Sequence, residues 1–408
     1  PPWHLYKPTL FYTFGTWRDH AHTLKRAIAA VAERDAKARR YARTLIRGVS
    51  DDEARLRIIR DAVLRTIRPV AVSYAELPLA TLSTPDKTLT DQYGHALDRA
   101  MLLAAMLEEV GIDAQIIFAS RDTSRYAAAS QPFRDVPQTE YVDAPLVEAT
   151  VNGHVYYLNE GDQYDEPGTT RLESAAYMTL SGKFKTIDVS PLHRDQTRKS
   201  WSIEVQTNGT AQITVTNWYF GSAVGPFRKN YREMLPEDRR RHFLELANSI
   251  SKSAQPRSEL ITETKAYPAY RTCTLEAANY AVMEGDTLTV LMPDMMAPIF
   301  GLRGDRRENP LFLRTTSEDT IECRIVLPRG YTRIQICPQD KAWTLPCGLG
   351  EFICTVRSIL RADGRLEVVM TRTYHARSGY AEPQLYPALL EYNRGIAHPS
   401  SRTLVVEK

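Results

Sequence analysis

One stretch limits the possible folds more than any other: YGHALDRAMLLAAMLEEVGIDAQIIFAS, Tyr93 to Ser120. From about Ala96 to Val110 it carries Leu97, Met101, Leu102, Ala104, Ala105 and Leu107, so apolar side chains surround most of a helical circumference. Such a helix must be covered on several sides, which predicts a central element with other layers packed around it. Gly111 ends the helix, and AQIIFAS (114–120) follows as a strand. Two helices are expected upstream, over 17–47 and 51–67. In the second, Leu56, Ile59, Val63 and Ile67 form one core-facing stripe, and Ser50 with Glu53 makes an S-x-x-E capping box. Downstream, APLVEATV and VYYLN flank Asn152-Gly153, a dipeptide suited to a two-residue hairpin turn.

From about residue 198 the pattern changes to strands. WSIEVQTNGTAQITVTNW alternates at Ile203 and Val205, and again at Ile213 and Val215, around Asn208-Gly209. An amphipathic helix near 227–252, broken at Pro236, interrupts this region. LTVLMP, IECRIVLP, EFICTVRSILRADGRLEVVMTRTY and TLVVEK supply further strands.

With 408 residues, 43% of them hydrophobic, the chain has material for two or three domains. It contains no run of about 18 apolar residues, so no membrane-spanning helix is expected. The net charge of +3 conceals an asymmetry: residues 1–68 hold 15 Lys/Arg against 7 Asp/Glu, and residues 69–190 hold 8 against 18. A basic helical layer resting on an acidic core accounts for this better than a nucleic-acid surface does, so no nucleic-acid partner is expected. The five cysteines, Cys273, Cys323, Cys337, Cys347 and Cys354, lie in the last third and form no C-x-x-C, which argues against zinc. Cys337 and Cys347 either close a loop in an oxidising compartment or stay unpaired like the rest. PPWHLYKPTL has neither an initiator Met nor a leader pattern, as expected of a mature or trimmed chain.

GHALDRAMLLAAMLEEVGIDA, followed by a strand and a hairpin ending in Y-Y-L-N, resembles the core of the bacterial transglutaminase-like proteins of the papain-like thiol hydrolase superfamily. The helix in that family begins G-D-C-K-D-K-A and runs to G-I-x-A. Gly94, Asp98, Arg99 in place of Lys, Ala100, Gly111, Ile112 and Ala114 fall into register with it. SYAELPL and SDDEARLRIIRDAVLRTI match the usual lead-in; GDTLTVLMP, ENPLFLR and TLVVEK resemble the C-terminal module of envelope proteins in the family. The resemblance covers nearly the whole chain. It implies an α+β fold, with a transglutaminase-like core of helix plus antiparallel sheet in residues 1–195. A β-sandwich-like region with an inserted long helix would follow in 196–408, open to a further split near 300.

The chemistry of that family uses a Cys on the first turn of the helix, where the macrodipole favours thiolate, a His on the next strand and an Asp on the strand after it. The resemblance implies that these positions are Ala96, a residue at or near Ala144, and Asn159. Loss of all three side-chain types implies a non-catalytic homologue. It would act outside the cytoplasm, in the periplasm, at the cell surface or secreted, as a binding or scaffold protein for a protein, peptide or glycan, with no cofactor and no metal. Its binding groove would gather Tyr93, Gly94, His95, Asp98, Asp143 and Asn159. The alternative is a hydrolase of transglutaminase or protease type with a relocated site around His95, Asp98 and Asp143. His95 and Asp98, at i and i+3, make only half a metal site, and His154 belongs to a turn. Trp17, Tyr93, Tyr141, Tyr156 and Tyr157 are read as core residues rather than groove aromatics. No G-x-S-x-G, H-E-x-x-H or P-loop occurs.

Overall fold

A computed structural model describes residues 7–32, 36–121, 131, 133–313 and 316–408. The chain divides into two units, residues 2–194 with 221–226, and residues 195–220 with 227–408. Both are built of helices and sheets, so the protein is of the mixed α+β class.

In the first unit, helices α1 (Trp17–Ala32), α2 (Ala36–Leu45), α3 (Asp52–Thr66), α4 (Pro85–Asp91) and α5 (Ala96–Glu109) accompany a five-stranded sheet. Of the helix expected over 17–47, the described residues are helical over Trp17–Ala32 and Ala36–Leu45, and 33–35 lie outside the described residues. The cap of α3 also differs from expectation: Asp51, not Ser50, accepts the Ala54 N–H over 2.7 Å. A carboxylate one residue closer to the helix satisfies an orphan donor and faces the positive end of the dipole.

The strands are β1 (Asp113–Ala119), β2 (Ala144–Val151), β3 (His154–Leu158), β4 (Ala176–Thr179) and β5 (Phe184–Thr186), in the spatial order β3-β2-β1-β4-β5, all antiparallel. The β2–β3 turn passes through Asn152 and Gly153 at φ 51° and 78°, the two left-handed positions that a two-residue hairpin needs.

Helix α5 is buried from Leu97 to Leu107 without a break. One side of the sheet packs with it through Ala114, Ile116, Phe118, Val147, Ala149, Val151, Tyr156 and Leu158. The other side forms a separate cluster with Ile117, Ala119, Ala144, Leu146, Tyr157 and Tyr177. The two clusters follow the period of two along each strand.

Helix α6 (Val224–Glu233), which begins in the segment 221–226 of the first unit and continues into the second, ends before α7 (Pro236–Ile250), which begins at the expected Pro236. Among the described residues a nine-stranded sheet is made of β6 (Gln196–Val205), β7 (Ala211–Tyr219), β8 (Ala254–Pro256), β9 (Ile261–Glu263), β10 (Ala269–Ala277), β13 (Ser317–Val326), β15 (Lys341–Leu345), β16 (Gly350–Leu360) and β17 (Leu366–Ala376). Its order is β8-β10-β7-β6-β13-β17-β16-β15, with β9 beside β10. A four-stranded sheet holds β11 (Val282–Glu284), β12 (Thr287–Leu291), β14 (Arg333–Ile336) and β18 (Thr403–Glu407). Strands from both sides of residue 300 share the large sheet. Its centre is a parallel pair, β6 with β13, from Gln196↔Glu318 to Glu204↔Val326. Helix α8 (Tyr386–Ala397) lies between β17 and β18 in sequence.

Candidate functional site

The start of α5 is fixed by its own side chains. Nδ1 of His95 accepts the N–H groups of Leu97 and Asp98 over 3.2 and 3.3 Å. Asp98 reaches back to accept the His95 N–H over 3.3 Å, and its other oxygen accepts the Ser83 N–H over 2.9 Å. This is a reciprocal capping box built from His and Asp. Both side chains are buried. Burial pushes the His95 pKa below its ordinary value and raises that of Asp98, with the Ser83 N–H and, in its protonated form, His95 opposing the latter rise. The imidazole is neutral in this arrangement, because Nδ1 uses its lone pair as the acceptor.

Gly94 precedes the cap, and a Cβ there would lie 2.9 Å from the Asp98 Cβ and 3.2 Å from Thr88 Cγ2. Glycine is therefore required by close approach. Tyr93, next to it, is 54% exposed and pairs with Arg68 in a two-residue parallel ladder.

Ala96 stands half-buried on the first turn. Asn159, just past β3, adopts φ 88° and donates from Nδ2 to the carbonyls of Ala96 (2.8 Å) and Pro145 (3.0 Å). Its Oδ1 is buried without a hydrogen-bond partner among the described residues. The structure thus brings Ala96 and Asn159 together. Ala144 lies elsewhere: its side chain joins the cluster on the sheet face opposite α5. By strand alternation its neighbour Pro145 is on the same face as Val147 and Ala149, toward the helix. On this strand the residue that faces the helix is therefore Pro145, and Ala144 faces away from it.

Asp143 is ion-paired with Arg121 at 3.1 Å. His95 Nε2 and Asp98 Oδ2 are 3.3 Å apart but do not meet hydrogen-bond geometry, and Nε2 is a buried nitrogen with no hydrogen-bond partner among the described residues. His154 is an exposed residue opening β3. Trp17, Tyr141, Tyr156 and Tyr157 are buried; Trp17 donates from its indole to the Arg134 carbonyl over 3.0 Å.

Several neighbours were not singled out from the sequence. Tyr74 packs against Phe118 and donates its hydroxyl to the Val142 carbonyl over 2.8 Å. Burial raises its pKa, and Asp143 and Glu140 add to the rise. Arg60 spans the loop after Asn159, donating to the carbonyls of Asp162 and Asp165, each over 2.8 Å. Arg99 is buried; burial lowers its pKa, and the Arg60 charge lowers it further. Its Nε has no hydrogen-bond partner among the described residues. A YAE turn and an interior Arg on an apolar helix were the available signals for these roles.

All five thiols belong to the second unit, and none is in a disulfide. The loop closure weighed for Cys337 and Cys347 is thus not formed. Cys323 and Cys273 are buried with pKa values raised by burial, and Cys354 is pushed up to about 11, so these are inert thiols. No group of three or more His, Cys, Asp or Glu residues is placed to hold a metal among the described residues. Within the same residues, no helix is long and apolar enough to cross a membrane.

No family model and no curated protein matches the chain. A solved structure does: a protein from Parabacteroides distasonis described as a "putative protease" has the same fold at a TM-score of 0.58 and 16% identity. The match covers 97% of this chain and 59% of that one, so this chain spans about 59% of its neighbour's length. At that identity the likeness is one of fold alone.

Proposed function

We propose that this chain is a non-catalytic transglutaminase-like protein that binds a protein, peptide or glycan outside the cytoplasm. One observation carries the reading: on the first turn of α5, where the resemblance calls for a nucleophile, stands Ala96, its carbonyl held by the Asn159 amide. No cysteine occurs in the first unit, and Pro145, on the face toward the helix, has no base to offer. The fold shared with a protein described as a protease is compatible with descent from such a frame.

A relocated hydrolase site finds less support. His95 and Asp98 are engaged in capping backbone N–H groups, and Asp143 pairs with Arg121. General acid–base work requires groups within hydrogen-bond reach of one reacting atom. The test is peptide hydrolysis and glutamine-donor transamidation by the full chain, alongside His95→Asn and Asp98→Asn. No turnover above blank is expected. Turnover lost in either variant, with the fold intact by circular dichroism, would establish the hydrolase instead. Export is tested separately, by fractionating source cells and locating the protein with an antibody.

A further inference from the structure

The second unit contains a cavity of about 360 Å3, within the size range of small-molecule sites, roughly 300–1,000 Å3. Its floor is the face of β6 and β7 that presents Trp201 and Val215, with Leu246 and Ile250 of α7 and the backbone after β12 completing the walls. Tyr280 is also there, its hydroxyl already donating to the Leu291 carbonyl over 3.0 Å.

The charges in this cavity do not cancel. Lys199 Nζ is 2.5 Å from Asp294 Oδ2, and the Trp201 indole N–H donates to the same oxygen over 3.1 Å. That pair is internally satisfied. Arg402 lines the same space, yet its guanidinium makes no hydrogen bond or ion pair among the described residues, and its Nε is buried without an acceptor. An uncompensated buried donor is costly unless an acceptor meets it.

We propose that this cavity binds a small organic carboxylate with an apolar body. The carboxylate takes the two-pronged donor edge of Arg402, the geometry in which guanidinium and carboxylate match best. The body lies against Val215, Leu246 and Ile250. The Lys199–Asp294 pair borders the site and leaves Arg402 as its excess positive charge. An inorganic anion would satisfy Arg402 but not the apolar walls, so the acid's hydrocarbon portion adds affinity.

The experiment is isothermal titration calorimetry of the full chain with phenylacetate, hexanoate and N-acetyl-leucine, each paired with its neutral amide, and with inorganic phosphate. At least one carboxylate should bind saturably, and its amide about ten-fold or more weaker, as loss of a charge-assisted bidentate pair requires. Arg402→Gln should weaken that carboxylate by a similar factor. Ser249→Trp places bulk on an exposed residue of the cavity rim and should block binding while leaving Arg402 and the fold unchanged. Absence of binding by all three acids, equal binding of acid and amide, phosphate binding as tightly as the acids, or full binding by folded Ser249→Trp would each overturn the proposal.

Discussion

The side-chain amide of Asn159 donates to the carbonyl of Ala96 over 2.8 Å, across 63 positions of sequence. The same nitrogen donates to Pro145, so one residue ties the first turn of α5 to two neighbouring strands. Asn159→Asp would set carboxylate oxygens against two carbonyls and supply no donor at neutral pH. A loss of about 1–3 kcal/mol is expected, partly recovered in acid as the carboxyl gains a proton to donate. Urea unfolding at two pH values reads this; an Asp variant as stable as the parent at neutral pH would remove the tie from the account.

Stability should fall in mild acid through His95. Its folded-state pKa lies below 6.5 because of burial, so as pH drops through 6.5 the unfolded chain takes up the proton first and the native state loses ground. The loss continues until the folded-state pKa is passed. Above 6.5 this contribution is fully present. His95→Asn keeps a capping acceptor without titrating, and its unfolding free energy should change less between pH 7 and pH 5 than that of the parent. Parallel curves would show that His95 contributes nothing to the pH response.

Gly94→Ala should destabilise through contact rather than backbone strain. The added Cβ meets the Asp98 Cβ at 2.9 Å, and accommodating it means moving the residue that closes the capping box. Overpacking of this kind costs about 1–3 kcal/mol, visible as a lower thermal midpoint. An unchanged midpoint would mean that the α4–α5 junction yields easily.

Arg372 is 2% exposed and donates to the carbonyls of Asp294 (3.0 Å) and Ala297 (2.7 Å). Arg372→Met would leave both carbonyls without this donor, at a cost of about 3 kcal/mol. Because Asp294 borders the cavity of the second unit, carboxylate binding should weaken as well. Retained binding in a destabilised but folded variant would separate the two effects.

The sequence reveals elements whose signal is local. An apolar circumference marks α5 as central because burial on all sides needs such a surface. Asn-Gly marks the β2–β3 turn because both residues tolerate positive φ. Features fixed by distant parts of the chain are not visible in this way. Whether position 144 or 145 faces the helix is a matter of parity, and a one-residue error moves a side chain to the other side of the sheet. The burial of Arg372 depends on carbonyls more than seventy positions away, and its own segment, VVMTRTY, reads as an ordinary half-exposed strand. The capping of α3 by Asp51 rather than Ser50 was decided between two adjacent good caps by local geometry.

The parallel pairing of β6 with β13 sets an order of events during synthesis. Thr197 and Asp319, bonded across that pair, are 122 positions apart. When β6 and β7 leave the ribosome as a hairpin, one edge of β6 stays open until the whole length to residue 326 has emerged. An open edge beside Trp201, Ile203 and Val205 is a template for pairing with the wrong chain, and closing such a long loop is slow. Fragments that stop before β13 should therefore accumulate as aggregates, and expression hosts rich in nascent-chain chaperones should raise the yield of the full-length protein.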